Sequence, residues 1–333
     1  MSLRVNGLGG VDGLTRTNYI TVCTPLQSVE INGPSTATVR TAITLNAVYT
    51  PTNATDATLL WDNGKTGNSA GYTWTEAGGQ TVIVTATAAC GVPITAVHTI
   101  TVGHVFDVEL GPDRTGSAHP NSIVTYIHVL TNTGTGPDTF VLTHTGSDQN
   151  WLVKYDTPIS LGADQTKTIM VRVTVPAGVV SNTTETTIVT AASQADHNIW
   201  ANATDTTTVG HVPGVEFGPD QTNSAHPGST ITYTHILTNT GNGLDTFVLT
   251  HIGSNQDWLV QYDTPISLGA SQTKTIVVNI TVPADVAACT VKRTAITAAS
   301  QAGNNVWASI TDTTTVIPPY CIYLPVVFKN HSE

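Results

Sequence analysis

Apolar and polar positions alternate along this chain in short runs with a period of two. In the clearest run Ile231, Tyr233, His235, Leu237 and Asn239 alternate with Thr230, Thr232, Thr234 and Ile236. Successive side chains of an extended strand point to opposite faces, so this pattern predicts a strand with one face buried. The chain then turns through Thr240, Gly241, Asn242 and Gly243 into a second run over 246–250. A further strand is expected over 275–282, stopping at Pro283, which cannot donate to a ladder. Two more follow, near 294–299 and 306–316, and no helical period persists beyond a turn or two.

The same pattern is written twice. Residues 102–208 recur as 209–315 without insertion or deletion, at an offset of 107, with roughly two-thirds of the positions identical. Gly134 returns as Gly241, Trp151 as Trp258, Pro176 as Pro283 and Trp200 as Trp307. That period is too long for a solenoid or propeller blade and matches one small domain with its own core. About seven short strands per period predict an immunoglobulin-like β-sandwich, so the expected fold is all-β, with tandem sandwiches in an extended array. The boundaries read from the sequence are 1–20 (remnant of a preceding module), 21–102, 103–209, 210–316 and a tail, 317–333. All four repeat tryptophans, Trp151, Trp200, Trp258 and Trp307, are expected to fill cores. An active site is normally built once, whereas duplicating a module lengthens a rod or multiplies a weak contact.

Composition narrows the partners. Charged residues make up only 11% of the chain, and the formal net charge is -11 with a pI near 5.3. The twelve Lys and Arg are scattered, which argues against nucleic acid and anionic membranes as partners. The abundance of Thr, Val and Ile favours strands, because branched side chains suit a pleated surface.

The order Pro-Gly-Ser-Thr-Ile-Thr-Tyr, then Leu-Thr-Asn-Thr-Gly, then a Trp, then Ser-Leu-Gly-Ala with a Thr-rich strand ending Val-Thr-Val-Pro resembles the bacterial Ig-like repeats of cell-surface and glycosidase-associated proteins, and the resemblance covers both copies. The first unit differs. Its Val29 to Pro34 segment, its Trp61-Asp62-Asn63-Gly64 and its Tyr72-Thr73-Trp74 running into residues 81–87 are similar to the PKD family of extracellular Ig-like domains. The usual Trp-Asp-Phe-Gly-Asp-Gly is shortened here to Trp-Asp-Asn-Gly. Both resemblances imply an extracellular or cell-surface bacterial protein, and the chain reads as the C-terminal part of a longer one. The tail Ile322-Tyr323-Leu324-Pro325-Val326-Val327-Phe328-Lys329-Asn330 resembles a short ending of exported proteins of green non-sulfur bacteria. This implies a sorting or anchoring tag, with an added edge strand on the last sandwich as the alternative. Its apolar run is far shorter than a membrane span.

The four cysteines sort by unit. Cys23 precedes the first strand of the first unit and Cys90 lies before its last, two places at the same end of an Ig-like sandwich. Cys289 stands where the first copy has Asn182, and Cys321 belongs to the tail that the first copy lacks. The expected disulfides are therefore Cys23 with Cys90 and Cys289 with Cys321, the alternative being four free thiols. The absence of C-x-x-C removes the usual zinc and thioredoxin-type signatures.

Histidine is the only plausible catalytic ingredient, with His104, His119, His128 and His144 repeated as His211, His226, His235 and His251. His235 shares a face with Tyr233 and Leu237, and His251 with Phe247 and Leu249, so both are expected to point inward. Two inward imidazoles could bind a metal, but hydrogen-bonded core histidines are the favoured reading, since no third ligand is evident. Asp113, Asp138, Asp220 and Asp245 lie at turns, where calcium is the alternative to ordinary turn formation. No cofactor is expected, and no Ser-His-Asp spacing or hydrolase, zincin or phosphate-loop motif occurs. The chain is thus expected to be a monomeric, non-catalytic spacer or adhesion scaffold. The alternative is an accessory module of a secreted enzyme, binding a polysaccharide or a surface protein, with Tyr155 and Tyr262 as the candidate ligand contacts.

Overall fold

The computed structural model describes residues 22–146, 150–253 and 258–318, together with the backbone of two short paired strands, Val5–Gly7 and Gly10–Asp12. Every regular element among the described residues is a strand. Apart from that hairpin the strands form six sheets: two within 28–103, two within 108–209 and two within 215–316. No sheet recruits strands from two of these stretches, which is how tandem Ig-like β-sandwiches are built.

In the first repeat, Val108–Gly111, Ile123–Asn132, Thr166–Thr174 and Leu152–Lys154 form an antiparallel sheet in that order. Facing it are Arg114–Ala118, Trp200–Val209, Thr184–Ser193, Asp138–Gly146 and Ile159–Leu161, antiparallel except for the first pair. The chain passes from one sheet to the other through Gly111, Pro112 and Asp113. The second repeat reproduces the register, Tyr126 opposite Val171 becoming Tyr233 opposite Val278. The first unit pairs a three-stranded sheet (Ser28–Asn32, Ile43–Thr50, Ser69–Tyr72) with a four-stranded one (Thr36–Thr38, Ile94–Gly103, Gly78–Thr87, Thr58–Trp61).

The alternation in sequence becomes alternation in burial. Along Thr230–Asn239 the side chains of Ile231, Tyr233, His235, Leu237 and Asn239 are buried while Thr230, Thr232, Thr234 and Ile236 face out. Each fully buried aliphatic or aromatic side chain contributes roughly 1.5–3 kcal/mol, so a sandwich of this size is held chiefly by its interior face. Asn239, wholly buried, organises the turn that follows: its amide donates to the Gly243 and Leu268 carbonyls, 2.8 Å each, and its Oδ1 accepts the Gly241 N–H. Asn132 does the same in the first copy. This explains the Leu-Thr-Asn-Thr-Gly run physically, because a buried amide in the core requires partners for its donors.

The Trp-Asp-Asn-Gly segment of the first unit is also architectural. Trp61 is buried and donates Nε1–H to the Gly67 carbonyl at 2.9 Å. Asp62 accepts from the Tyr72 hydroxyl at 2.6 Å and the Ile83 N–H at 2.9 Å, and Gly64 takes the positive φ of 80° that the turn requires.

Two expectations are corrected. Trp151 and Trp258 are buried in their cores, but Trp200 and Trp307 are 58% and 62% exposed. Each begins its strand on the outward phase, so the period of two sends Ala203 and Asp205, or Ile310 and Asp312, inward instead. His251 does not point inward with Phe247 and Leu249. Burial along Asp245–Gly253 stops at Leu249, and both His251 and its counterpart His144 lie exposed beyond the cover of the facing sheet.

Candidate functional site

The histidines divide into two environments. His128 and His235 are fully buried, each between two acceptors. The Nδ1 of His235 lies 2.9 Å from the Pro219 carbonyl and its Nε2 lies 3.1 Å from Oδ2 of the buried Asp312; in the first copy Pro112 and Asp205 occupy these places at the same distances. A carbonyl and a carboxylate cannot donate, so both ring nitrogens carry hydrogen and the ring is an imidazolium, or else the carboxyl holds the second proton. The hydrogen bond to Asp205 raises the pKa of His128 above the ordinary histidine value, against burial. For His235 burial is the largest influence and lowers it, but the hydrogen bonds to Asp312 and the Pro219 carbonyl together prevail and the pKa is raised. With no exposed ring edge, these pairs are internal struts and cannot reach a substrate.

His144 and His251 meet the two tyrosines singled out in the sequence. The Tyr155 hydroxyl lies 2.7 Å from His144 Nδ1, and Tyr262 lies 2.8 Å from His251 Nδ1. Both tyrosines are half-buried against their cores, and burial raises their pKa, so the hydroxyls stay protonated and are hydrogen-bonded to the imidazoles. Each tyrosine therefore presents an edge to solvent, with its hydroxyl already engaged.

The turn carboxylates are occupied by donors of the protein. Asp138 accepts from the Ser193 hydroxyl at 2.6 Å and the Thr139 N–H, and Asp245 repeats this with Ser300 and Thr246. Asp113 and Asp220 each accept a backbone N–H, from Thr204 and Thr311, at 2.8 Å. These are bonds that lace loops to strands, and among the described residues no group of three His, Cys, Asp or Glu side chains is placed to hold a metal ion.

Cys23 and Cys90 form a disulfide with Cα atoms 6.1 Å apart, closing a separation of 67 residues. Cys289 is exposed, at a position with φ of 64° that matches Asn182 in the first copy, while its expected partner Cys321 lies outside the described residues. Among the described residues no helix is long and apolar enough to cross a membrane.

The least expected construction is at the junction between the repeats. Only residues 210–214 separate Trp200–Val209 from the next strand, Val215–Gly218. Asn242, on the turn of the second repeat, donates its side-chain amide to the Val179 carbonyl of the first repeat at 3.1 Å and to the Gly210 carbonyl at 3.0 Å. Its Oδ1 accepts the Val212 N–H at 2.7 Å, and its own carbonyl accepts the Ser181 N–H at 2.8 Å. One residue thus ties first repeat, linker and second repeat together. The sequence marks it only as a difference between copies, since Thr135 occupies this place in the first. The junction before the first repeat carries instead an exposed ion pair, Arg40 to Asp164 at 3.0 Å.

No protein-family model matches the chain, and neither does a curated protein. Several solved structures are similar at low identity. An I-band fragment of titin is 11% identical, covering 90% of this chain and 100% of its own, with a TM-score of 0.35. The PcdhgB3 EC1-4 fragment is 11% identical, covering 89% and 76%, with a TM-score of 0.46. The EC22-24 fragment of mouse Cadherin-23 is 13% identical, covering 87% and 99%, with a TM-score of 0.40. The fold assignment rests on the sheet pairing described above.

Proposed function

We propose that the chain is a non-catalytic spacer or adhesion scaffold of a bacterial surface or secreted protein, divided into units at 21–102, 103–209 and 210–316. The observation that carries this reading is the junction residue Asn242, because a spacer needs fixed angles between its beads and five hydrogen bonds converge on that one position. The titratable groups support it too: the core histidines and turn carboxylates are committed to the fold. The Cys23–Cys90 disulfide fits an oxidising, extracellular setting.

The test is small-angle scattering on the intact chain. A ten-residue strand such as Trp200–Val209 spans about 33 Å, so three sandwiches in line, with their loops, reach on the order of 100–120 Å. The spacer reading expects that length. A compact, folded-back particle would refute it.

A further inference from the structure

The outward face of the five-stranded sheet carries an aromatic shelf in each repeat. Trp200 lies opposite Ala192, and Ala192 lies opposite Val141, so the indole has only small or partly buried neighbours across two adjoining strands. The next outward row is Asn202, Thr190 and Thr143, with the Thr190 hydroxyl donating to Asn202 Oδ1 at 2.8 Å. On the other side of the tryptophan row, the face opens into a shallow groove of about 470 Å³, lined in part by Thr139, Ser160 and Gln194. Strands lie about 4.8 Å apart, so shelf and groove together offer a surface the width of one or two sugar rings.

Three properties identify the ligand class. An exposed tryptophan at 58% has no packing reason to be apolar, and large exposed aromatics with a polar fringe mark contact sites. Of the side chains of shelf and groove only Asp138 is charged, and its carboxylate is already engaged by the Ser193 hydroxyl and the Thr139 N–H, so the surface offers hydroxyls and amides that match a neutral, hydroxyl-rich ligand. The shelf recurs in the second repeat as Trp307, Ala299, Val248 and Thr297, with Ser309 in the place of Asn202 and Trp307 62% exposed, so a ligand of repeated units meets a platform on each repeat.

We infer that Trp200 and Trp307 are the stacking platforms of two equivalent binding sites for a neutral polysaccharide. The C–H faces of a pyranose ring pack on the indole while the Thr, Ser and amide groups around it take the hydroxyls. The sites do not depend on the spacer role; a rigid junction merely holds them at one separation.

Affinity electrophoresis of the full chain in gels containing hydroxyethylcellulose, arabinoxylan or galactomannan, with polygalacturonate as the acidic control, tests this. Retardation is expected in at least one neutral polymer. Trp200→Ala or Trp307→Ala should each weaken it about tenfold or more, because paired sites act by avidity, and the double variant should abolish it. Trp200→Tyr should retain most of the binding, and thermal unfolding should confirm that all variants fold. No retardation by any neutral polymer overturns the proposal. So does retardation that survives the double substitution, retention by polygalacturonate alone, or a dependence on Tyr155 and Tyr262 in place of the tryptophans.

Discussion

Replacing Asp312 separates the two ways in which a buried ion pair can matter. Asp312→Ala leaves His235 Nε2 without its partner inside the core, and breaking a buried pair from one side costs about 3–5 kcal/mol. With an unfolding entropy of roughly 2.1 cal/mol/K per residue, a loss near 4 kcal/mol lowers the midpoint of a sandwich of this length by about 18 °C. Asp312→Asn should behave differently. The amide donates to Nε2, the ring stays neutral while Nδ1–H still donates to the Pro219 carbonyl, and every polar atom of the imidazole keeps a partner. The variants also differ in pH response. The folded pKa of both His128 and His235 is raised above its unfolded value, so the stability each contributes is complete below the unfolded value and is lost as pH rises through the folded one. The nearby charges act in opposite senses, Arg114 lowering the value for His128 and Asp220 raising it for His235. Calorimetry of the full chain at several pH values between about 6 and 9, with hydrogen exchange assigning each transition to its repeat, reads both effects. The wild-type repeats should lose stability toward alkaline pH, whereas the double variant Asp205→Asn and Asp312→Asn should be flatter. Equal pH slopes in the two proteins, or a small cost for Asp312→Ala, would refute the imidazolium–carboxylate assignment.

Other outcomes follow from single contacts. Asn242→Ala removes the side-chain bonds across the repeat junction, at about 0.5–1.5 kcal/mol each, and should broaden the scattering distance distribution without moving the melting transitions. Arg40→Ala should change stability by less than ~1 kcal/mol, because the pair is 56% and 64% exposed, and raised salt should mimic its effect on scattering. Changing both Cys23 and Cys90 to Ser should destabilise the first unit alone by about 4 kcal/mol, the entropy of closing a loop with a separation of 67 residues, measured by denaturant unfolding. Thiol counting on the native chain checks the expected pairing of Cys289 with Cys321: no thiol should react before reduction, and two reactive thiols would disprove the link.

Strand positions, the repeat and the sandwich class were legible in the sequence because each is written locally. The alternation around Tyr233 needs only neighbours two residues apart, and the offset of 107 needs only comparison of the chain with itself. The pairing of Cys23 with Cys90 was legible once the fold class placed both at one end of a sandwich. What a side chain meets across the core was decided by tertiary structure. That His235 finds Asp312, a residue 77 positions away, depends on which sheet faces which and at what register. The same holds for the tryptophans. Composition treats Trp151 and Trp200 alike, yet one sits in the core and the other begins a strand on its outward phase, where a one-residue shift in register would turn it inward. Asn242 shows the limit most plainly: in sequence it is a turn residue among glycines, and only the approach of a second folded unit turns its amide into a clasp.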